Sequence, residues 1–284
     1  MCKICFEQIK GVFMIQLVVC DLDETLLTSD KKITEKDNTA IQKARAKGVK
    51  FVCATGRGYS YIDDILMTLN VYNKENEYVI SNNGAIITEN KDNDELSFHK
   101  LSNTIAFQII ELGFRLKLCV QVFTSKDVYS FNTNEDEKKW LLMFKKDAIL
   151  CKENNYDFLK DKEIVKVMYQ YPDMNVLFSL ESKLNDEIKK NTTIAYSSNR
   201  YMEFTAVGIS KGAALKELTT ILNIPLKDTL VIGDNYNDIS MIETAGIGTC
   251  VANANDDVKK ACHYVSPFTH DENAVADILE KFVL

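Results

Sequence analysis

No stretch of this 284-residue chain approaches the ~20 consecutive apolar residues that a membrane-crossing helix requires, so a membrane partner is not expected. The opening thirteen residues, MCKICFEQIKGVF, carry two lysines and no long apolar core, which speaks against a secretory leader. Met14 stands immediately before the first strand-like run, so residues 1–13 read as an extension outside the motifs. Lysine and arginine form no run. With 34 basic against 41 acidic residues the net charge is -7, and nothing offers a track for a phosphate backbone; nucleic acid is excluded as a partner. A disulfide framework is also missing. The eight cysteines are scattered, and Cys20, Cys53 and Cys250 sit inside apolar runs, the pattern of reduced, buried thiols in a cytoplasmic protein. Cys2 and Cys5 form a C-x-x-C, but no second pair or nearby histidine completes a zinc site. Internal repeats and low-complexity segments are absent too.

What is present is enough apolar material, 46% of residues, for a sizeable core in one large domain or two modest ones. Both ends of the chain alternate strand and helix. Residues 15–20 form a continuous apolar run of strand length, of the kind buried on both faces of a parallel sheet. Thr34 and Asp37 resemble a capping pair for a helix that ends near Gly48. A strand over 49–55, a helix over 59–69 and a strand over 78–81 follow, which implies parallel pairing with right-handed crossovers. The alternation returns with a helix over 211–222, a strand over 229–233, a helix over 239–245, a strand over 248–252 and a helix over 272–282.

Between them the pattern differs. Residues 89–95 (ENKDNDE) read as a polar turn. Strands come in adjacent pairs, 117–124 with 128–132 and 193–197 with 201–205, beside helices over 104–116, 135–144 and 173–190. The expected fold is therefore α/β: a doubly wound, Rossmann-like parallel-sheet core built from 1–85 and 207–284, with an inserted α+β domain over 86–206.

In such a sheet, ligands gather beyond the carboxyl ends of the strands. Asp21 and Asp23 fall there after the first strand, Thr55-Gly56-Arg57 after the second, Ser81-Asn82-Asn83-Gly84 after the third, and Gly233-Asp234-Asn235-Tyr236-Asn237-Asp238 after the strand over 229–233. Lys211 opens a helix just upstream of that last strand. An aspartate after a strand is often only a turn residue, and a lysine at a helix start is usually solvated. The combination says more. Asp21 and Asp23 from one strand end and Asp234 from another converge, and an oxygen-only donor set suits a hard cation such as magnesium. Thr55, Lys211 and Asn237 add donors at the same place, so cation and donors together suit a phosphate ester.

The order D-x-D-x-T, strand-end Thr, Lys, G-D-x-x-N-D resembles the haloacid dehalogenase-like phosphohydrolase superfamily. The forms S-N-N-G-A and S-K-G-x-A-L around a large insert are similar to its Cof-type branch. The resemblance implies that Asp21 is the nucleophile and a magnesium ligand. It implies that Asp23 is the general acid and base, ligating through its backbone carbonyl, and that Asp234 is the third protein ligand. Leu22 would offer its backbone N–H to the phosphate, Thr55, Gly56 and Asn237 would hold it, and Lys211 would neutralise it. Asp238 would orient Lys211 or metal-bound water, and Asn82 and Asn83 would face the substrate below the insert, which becomes a cap. Glu24 stands where the family more often has glycine, and it is expected to point to solvent. Arg57 reads either as a helix-start residue or as a cation near the phosphate. Of the insert's aromatics, Trp140, Tyr169, Phe178 and Tyr201, most are expected in the core and some in the leaving-group pocket.

The implied activity is magnesium-dependent hydrolysis of a small phosphate monoester, with sugar phosphates the usual substrates and pyridoxal phosphate or flavin mononucleotide also compatible. Asp21 would take the phosphoryl group as an aspartyl-phosphate, and Asp23 would protonate the leaving alcohol and then activate water. A sugar phosphomutase and a catalytically idle phosphate-binding protein are the alternatives. A monomer or weak homo-oligomer is expected.

Overall fold

The computed structural model describes residues 14–144 and 148–284. The Cys2/Cys5 pair and the extension 1–13 lie outside the described residues.

The chain opens with β1 (Leu17–Cys20), α1 (Glu35–Ala46), β2 (Lys50–Ala54), α2 (Asp63–Thr68) and β3 (Tyr78–Ser81). It then turns back through β4 (Ile86–Glu89) and β5 (Asp94–Phe98). The insert contains α3 (Asn103–Arg115), β6 (Cys119–Thr124), β7 (Val128–Phe131), α4 (Glu135–Phe144), β8 (Ile149–Cys151), β9 (Ile164–Gln170), α5 (Met174–Leu180), α6 (Asp186–Asn191), β10 (Thr192–Ser197) and β11 (Tyr201–Ala206). The remainder is α7 (Lys211–Ile221), β12 (Thr229–Gly233), α8 (Ile239–Thr244), β13 (Ile247–Cys250), α9 (Asp256–Ala261), β14 (Tyr264–Val265) and α10 (Ala274–Phe282).

Two sheets result. The first has eight strands in the order β14-β13-β12-β1-β2-β3-β4-β5. It is parallel from β14 to β3, and β4 and β5 add an antiparallel edge. Each residue of β1 is fully buried, because a strand flanked by parallel neighbours and covered by helices has no wet face. β1 lies between β2 and β12, so the strand order reverses there and a crevice opens beyond its carboxyl end. Thr34 caps α1 by accepting the Asp37 N–H at 3.1 Å, as its position in the sequence suggests. The buried Asp37 carboxylate in turn accepts the Ala276 N–H at 2.7 Å, which ties the start of α10 to α1. The second sheet has six strands, β10-β11-β9-β6-β7-β8, and its own apolar core against α3, α5 and α6. Doubly wound core and inserted α+β cap are thus both present. Among the described residues no helix is long and apolar enough to cross a membrane.

Three features differ from the sequence reading. Residues 86–98 lie in the first sheet rather than the insert: the polar turn over 89–95 closes the β4–β5 hairpin, and β4 pairs with β3. The helix expected over 173–190 is two, α5 and α6, because the Asn185 side chain accepts the Ile188 N–H at 2.8 Å and starts a new helix. β9, at the middle of the second sheet, was not anticipated; Lys166 and Gln170 break its apolar run although all its residues are buried.

Candidate active site

Asp21 is the first residue past β1 and is still held to the sheet, its N–H donating to Ile232 O at 2.9 Å. Lys211 is the first residue of α7, whose N-cap Ser210 accepts the Ala213 N–H at 3.1 Å. The entry to α7 fits because position 84 is glycine: its φ is +97°, and a Cβ there would lie 2.3 Å from the Ser210 carbonyl oxygen. Lys211 Nζ reaches Asp21 Oδ1 at 2.5 Å and Asp238 Oδ1 at 2.6 Å. The other oxygen of Asp238 accepts the N–H groups of Asp234 and Asn235, at 2.9 and 3.1 Å. Gly233 permits this fold-back, since a Cβ there would sit 2.5 Å from Asp238 Cβ.

Carboxylate oxygens of Asp21, Asp234 and Asp238 lie within 4.8 Å of one another, all three residues buried. Asp238 spends both oxygens on Lys211 and the backbone. Asp234 accepts from Thr25 Oγ1 at 2.7 Å through one oxygen only. Among the described residues, one ammonium therefore faces three carboxylates, and Asp21 and Asp234 each retain an oxygen for a further cation. That surplus of hard anionic donors fits magnesium. Burial pushes the Asp21 carboxyl up to about 7; Lys211 opposes this, and Asp238 and Asp23 reinforce it. Burial and the neighbouring Asp21 and Asp238 also raise Asp234. For Lys211 burial acts downward, but Asp21 and Asp238 outweigh it and the ammonium is held above its usual range.

Asp23 faces the other way. Arg57 Nε reaches its Oδ2 at 2.8 Å and Lys31 Nζ its Oδ1 at 3.0 Å, with a second Arg57 contact to Oδ1 at 2.5 Å. Burial alone would raise its carboxyl; Arg57 and Lys31 overcome that and hold it down at about 2. Arg57 is thus the partner of Asp23. Its N–H also donates to Thr55 Oγ1 at 3.1 Å, fixing the loop after β2.

These groups floor a cleft lined from the first sheet by Asp21, Asp23, Thr55, Gly56, Arg57, Asp234 and Asn237. The insert supplies the opposite wall with Trp140, Lys166, Met168, Ser197, Tyr201 and Glu203. Leu22 is fully buried behind Asp21. Asn82 and Asn83, expected to face substrate, do not line this cleft: Asn83 Oδ1 accepts from Asn237 Nδ2 at 3.0 Å, and Asn82 borders a separate crevice. Their backbones turn through φ 51° and 57°, which swings the side chains back into the protein. Glu24, expected in solvent, is half-buried and borders the cleft with φ 62°. Trp140 and Tyr201 are pocket residues, whereas Tyr169 is core and Phe178 packs on Tyr196 and Tyr236. Lys166 and Glu203 were missed by sequence reasoning; their signal was a single charge inside each of two strand-like runs, IVKVMYQ and YMEFTA.

The haloacid dehalogenase-like hydrolase family matches residues 18–279. Among curated proteins, the chain is 27% identical over 291 residues to phosphatase YwpJ of Bacillus subtilis, covering 94% of this chain and 100% of that one. It is 29% identical over 272 residues to the 5-amino-6-(5-phospho-D-ribitylamino)uracil phosphatase YcsE of the same species, covering 95% and 96%. A haloacid dehalogenase-like hydrolase from Bacteroides thetaiotaomicron superposes with a TM-score of 0.78 at 27% identity, covering 94% of this chain and 98% of that one. The subclass IIB sugar phosphatase BT4131 superposes with a TM-score of 0.81, 94% and 98% being covered; at 22% identity this is a likeness of fold. With the family matching nearly the whole chain and a capped, doubly wound fold shared with these structures, the protein belongs to the haloacid dehalogenase-like hydrolases, in their Cof-type branch.

Proposed function

We propose that this chain is a magnesium-dependent phosphatase of small phosphate monoesters, with Asp21 as nucleophile. The observation that carries the reading is the placement of Asp21: at the floor of the cleft, 2.5 Å from a buried ammonium and beside a second buried carboxylate that retains an oxygen. Asp21, Asp234 and the Asp23 backbone carbonyl would hold the ion. Magnesium supplies charge neutralisation at the phosphate oxygens when bound.

The chain's own residues do the rest. Two like unit charges ~4 Å apart repel by about 1 kcal/mol in water and about 4 at intermediate dielectric, so attack by a carboxylate on a phosphate dianion needs a nearby cation. Lys211 provides one, and Asp238 holds it in place. Thr55, Gly56, Asn237 and the Leu22 N–H would bind the phosphate oxygens, with Asn83 positioning Asn237. Asp21 attacks phosphorus, the ester oxygen leaves, and an aspartyl-phosphate forms. Arg57 and Lys31 keep Asp23 ionised, the form that takes a proton from water. An incoming phosphate competes for both cations, so Asp23 can take a proton from solvent and pass it to the leaving oxygen; as the carboxylate it then removes a proton from the water that attacks phosphorus, the Asp21 O–P bond breaks, and inorganic phosphate and free Asp21 result.

The division of labour is proposed on the same ground. The loops beyond the parallel strands and the start of α7 hold the phosphate machinery, and the insert, residues 103–206, forms the cap. The cap wall mixes Trp140 and Tyr201 with Ser197 and Glu203, a surface suited to a polyhydroxylated leaving group such as a sugar. We place the enzyme in the cytoplasm as a monomer or weak homo-oligomer. The test is a panel of phosphate esters assayed for inorganic phosphate with magnesium and no acceptor sugar. Phosphate release lost in Asp21→Asn supports the reading. Transfer to a sugar without release would point to a phosphomutase.

A further inference from the structure

The cap buries a charged side chain inside its sheet. Lys166, in the central strand of the second sheet, has a side chain only 2% exposed. Its Nζ donates to Glu203 Oε2 at 2.5 Å and stands 4.3 Å from the centre of the Phe123 ring. Ser197 Oγ donates to the other Glu203 oxygen. Replacing a buried ion pair by well-packed apolar residues is often neutral or stabilising, so stability of the cap does not account for this one. The third contact of Lys166 does. Nζ also donates to the carbonyl of Gly56 at 2.7 Å, 110 residues away, in the loop of the first sheet that carries Thr55.

We propose that Lys166 is a positioning residue that couples the cap to the phosphate-binding loop through the peptide bond between Gly56 and Arg57. A trans peptide points its C=O and N–H in opposite directions. With Gly56 O drawn toward the cap, the Arg57 N–H is directed into the core, where it donates to Thr55 Oγ1 at 3.1 Å. Thr55 Oγ1 is thereby an acceptor from the loop, and its own proton is left for a phosphate oxygen in the cleft that Thr55 lines. When the cap lifts, Lys166 keeps Glu203 but Gly56 loses its donor, and the peptide that sets the Thr55 hydroxyl is released. Closure over a substrate and assembly of the phosphate site become one event. The consequence for turnover rests on the phosphatase reading above; the coupling itself does not.

The test measures amide hydrogen exchange at Arg57 in the full chain, together with phosphate release. Lys166→Met keeps the stem and removes the donors, but strands the Glu203 carboxylate, so the double variant K166M/E203Q, which retires both charges, is measured beside it. In both, Arg57 exchange is expected to rise about tenfold or more while the amides of the preceding strand β2 stay protected. In E203Q alone, where Lys166 still reaches Gly56, Arg57 protection is expected to stay close to wild type. In both Lys166 variants kcat should fall about tenfold, the equivalent of one hydrogen bond, with KM changed less. Unchanged Arg57 exchange in both Lys166 variants overturns the coupling. Equal acceleration across all of β2 marks a merely structural lysine and overturns it too. A wild-type protein that releases no phosphate from any ester overturns the phosphatase reading instead, and the exchange data still decide the coupling.

Discussion

Lys211 and Asp238 meet at 2.6 Å with neither side chain exposed, although 27 residues separate them in the chain. Asp238 is anchored by two backbone N–H groups, so it acts as a fixed post, and Lys211 is held between it and Asp21. Among the described residues the Lys211 ammonium is the cation in contact with Asp21 and Asp238, and its loss should be felt first in the absence of metal.

Lys211→Met is therefore expected to destabilise the metal-free protein by about 3–5 kcal/mol, because it leaves buried carboxylates uncompensated. Urea unfolding with and without magnesium measures this. The deficit should shrink when magnesium is present; an equal deficit in both conditions would refute the shared-charge picture.

Asp21→Asn is expected to abolish phosphate release while the protein stays folded. The substitution keeps shape and an acceptor for Lys211 but removes the nucleophile. It also removes one of three crowded negative charges, so metal-free stability should not fall by more than about 1 kcal/mol, the scale of a single hydrogen bond. Turnover within tenfold of wild type would sink the covalent mechanism.

Magnesium stabilisation should depend on pH with a definite sign. The folded carboxyl of Asp21 is raised to about 7, above its ordinary unfolded value near 3.9. The unfolded chain therefore loses that proton first, and metal-free stability falls as pH climbs between those values. Asp234, raised by the same burial, acts in the same direction. Asp23, held down at about 2, contributes stability that is lost only as the pH falls toward that value, outside this window. Magnesium binds the ionised carboxylates, so the rise in Tm that it produces should be larger at pH 8 than at pH 5.5. A shift of equal size at both pH values would contradict the assignment, and EDTA should remove both the shift and the activity.

Glu24→Gly should be tolerated and should improve the enzyme. Glu24 holds φ 62°, a left-handed conformation that costs a residue with a Cβ about 1–2 kcal/mol and glycine little. The carboxylate also borders the cleft that receives an anionic ester. Thermal unfolding and KM measure both effects; a lower Tm together with a higher KM would show that the side chain has a positive role there.

Much of this was readable along the chain. The run at β1 ending in Asp21 and Asp23, the strand-end Thr55, the helix-opening Lys211 and the Gly233–Asp238 turn are local patterns, and parallel-sheet topology brings strand ends together without further information. The Thr34 cap of α1 was equally local. What could not be read involves choices among partners distant in sequence. The polar segment after β4 is the same whether it ends a domain or closes a hairpin, and only pairing with β3 decides for the hairpin.

By itself, then, the sequence determined the alternating order of elements, the residue types at each strand end and the hard-anion character of the donor set, because hydrophobic period and residue chemistry are properties of short segments. The tertiary structure decided which way each polar group turns. Asp23 is claimed by Arg57 and Lys31, Asp238 by Lys211 and two N–H groups, Asn83 by Asn237, and Gly56 by a lysine from the other sheet. Each is a competition among donors and acceptors that meet only once segments distant in sequence are packed together, and a buried polar group takes the partner that packing brings within reach, since leaving it unpaired costs more than the pairing gains.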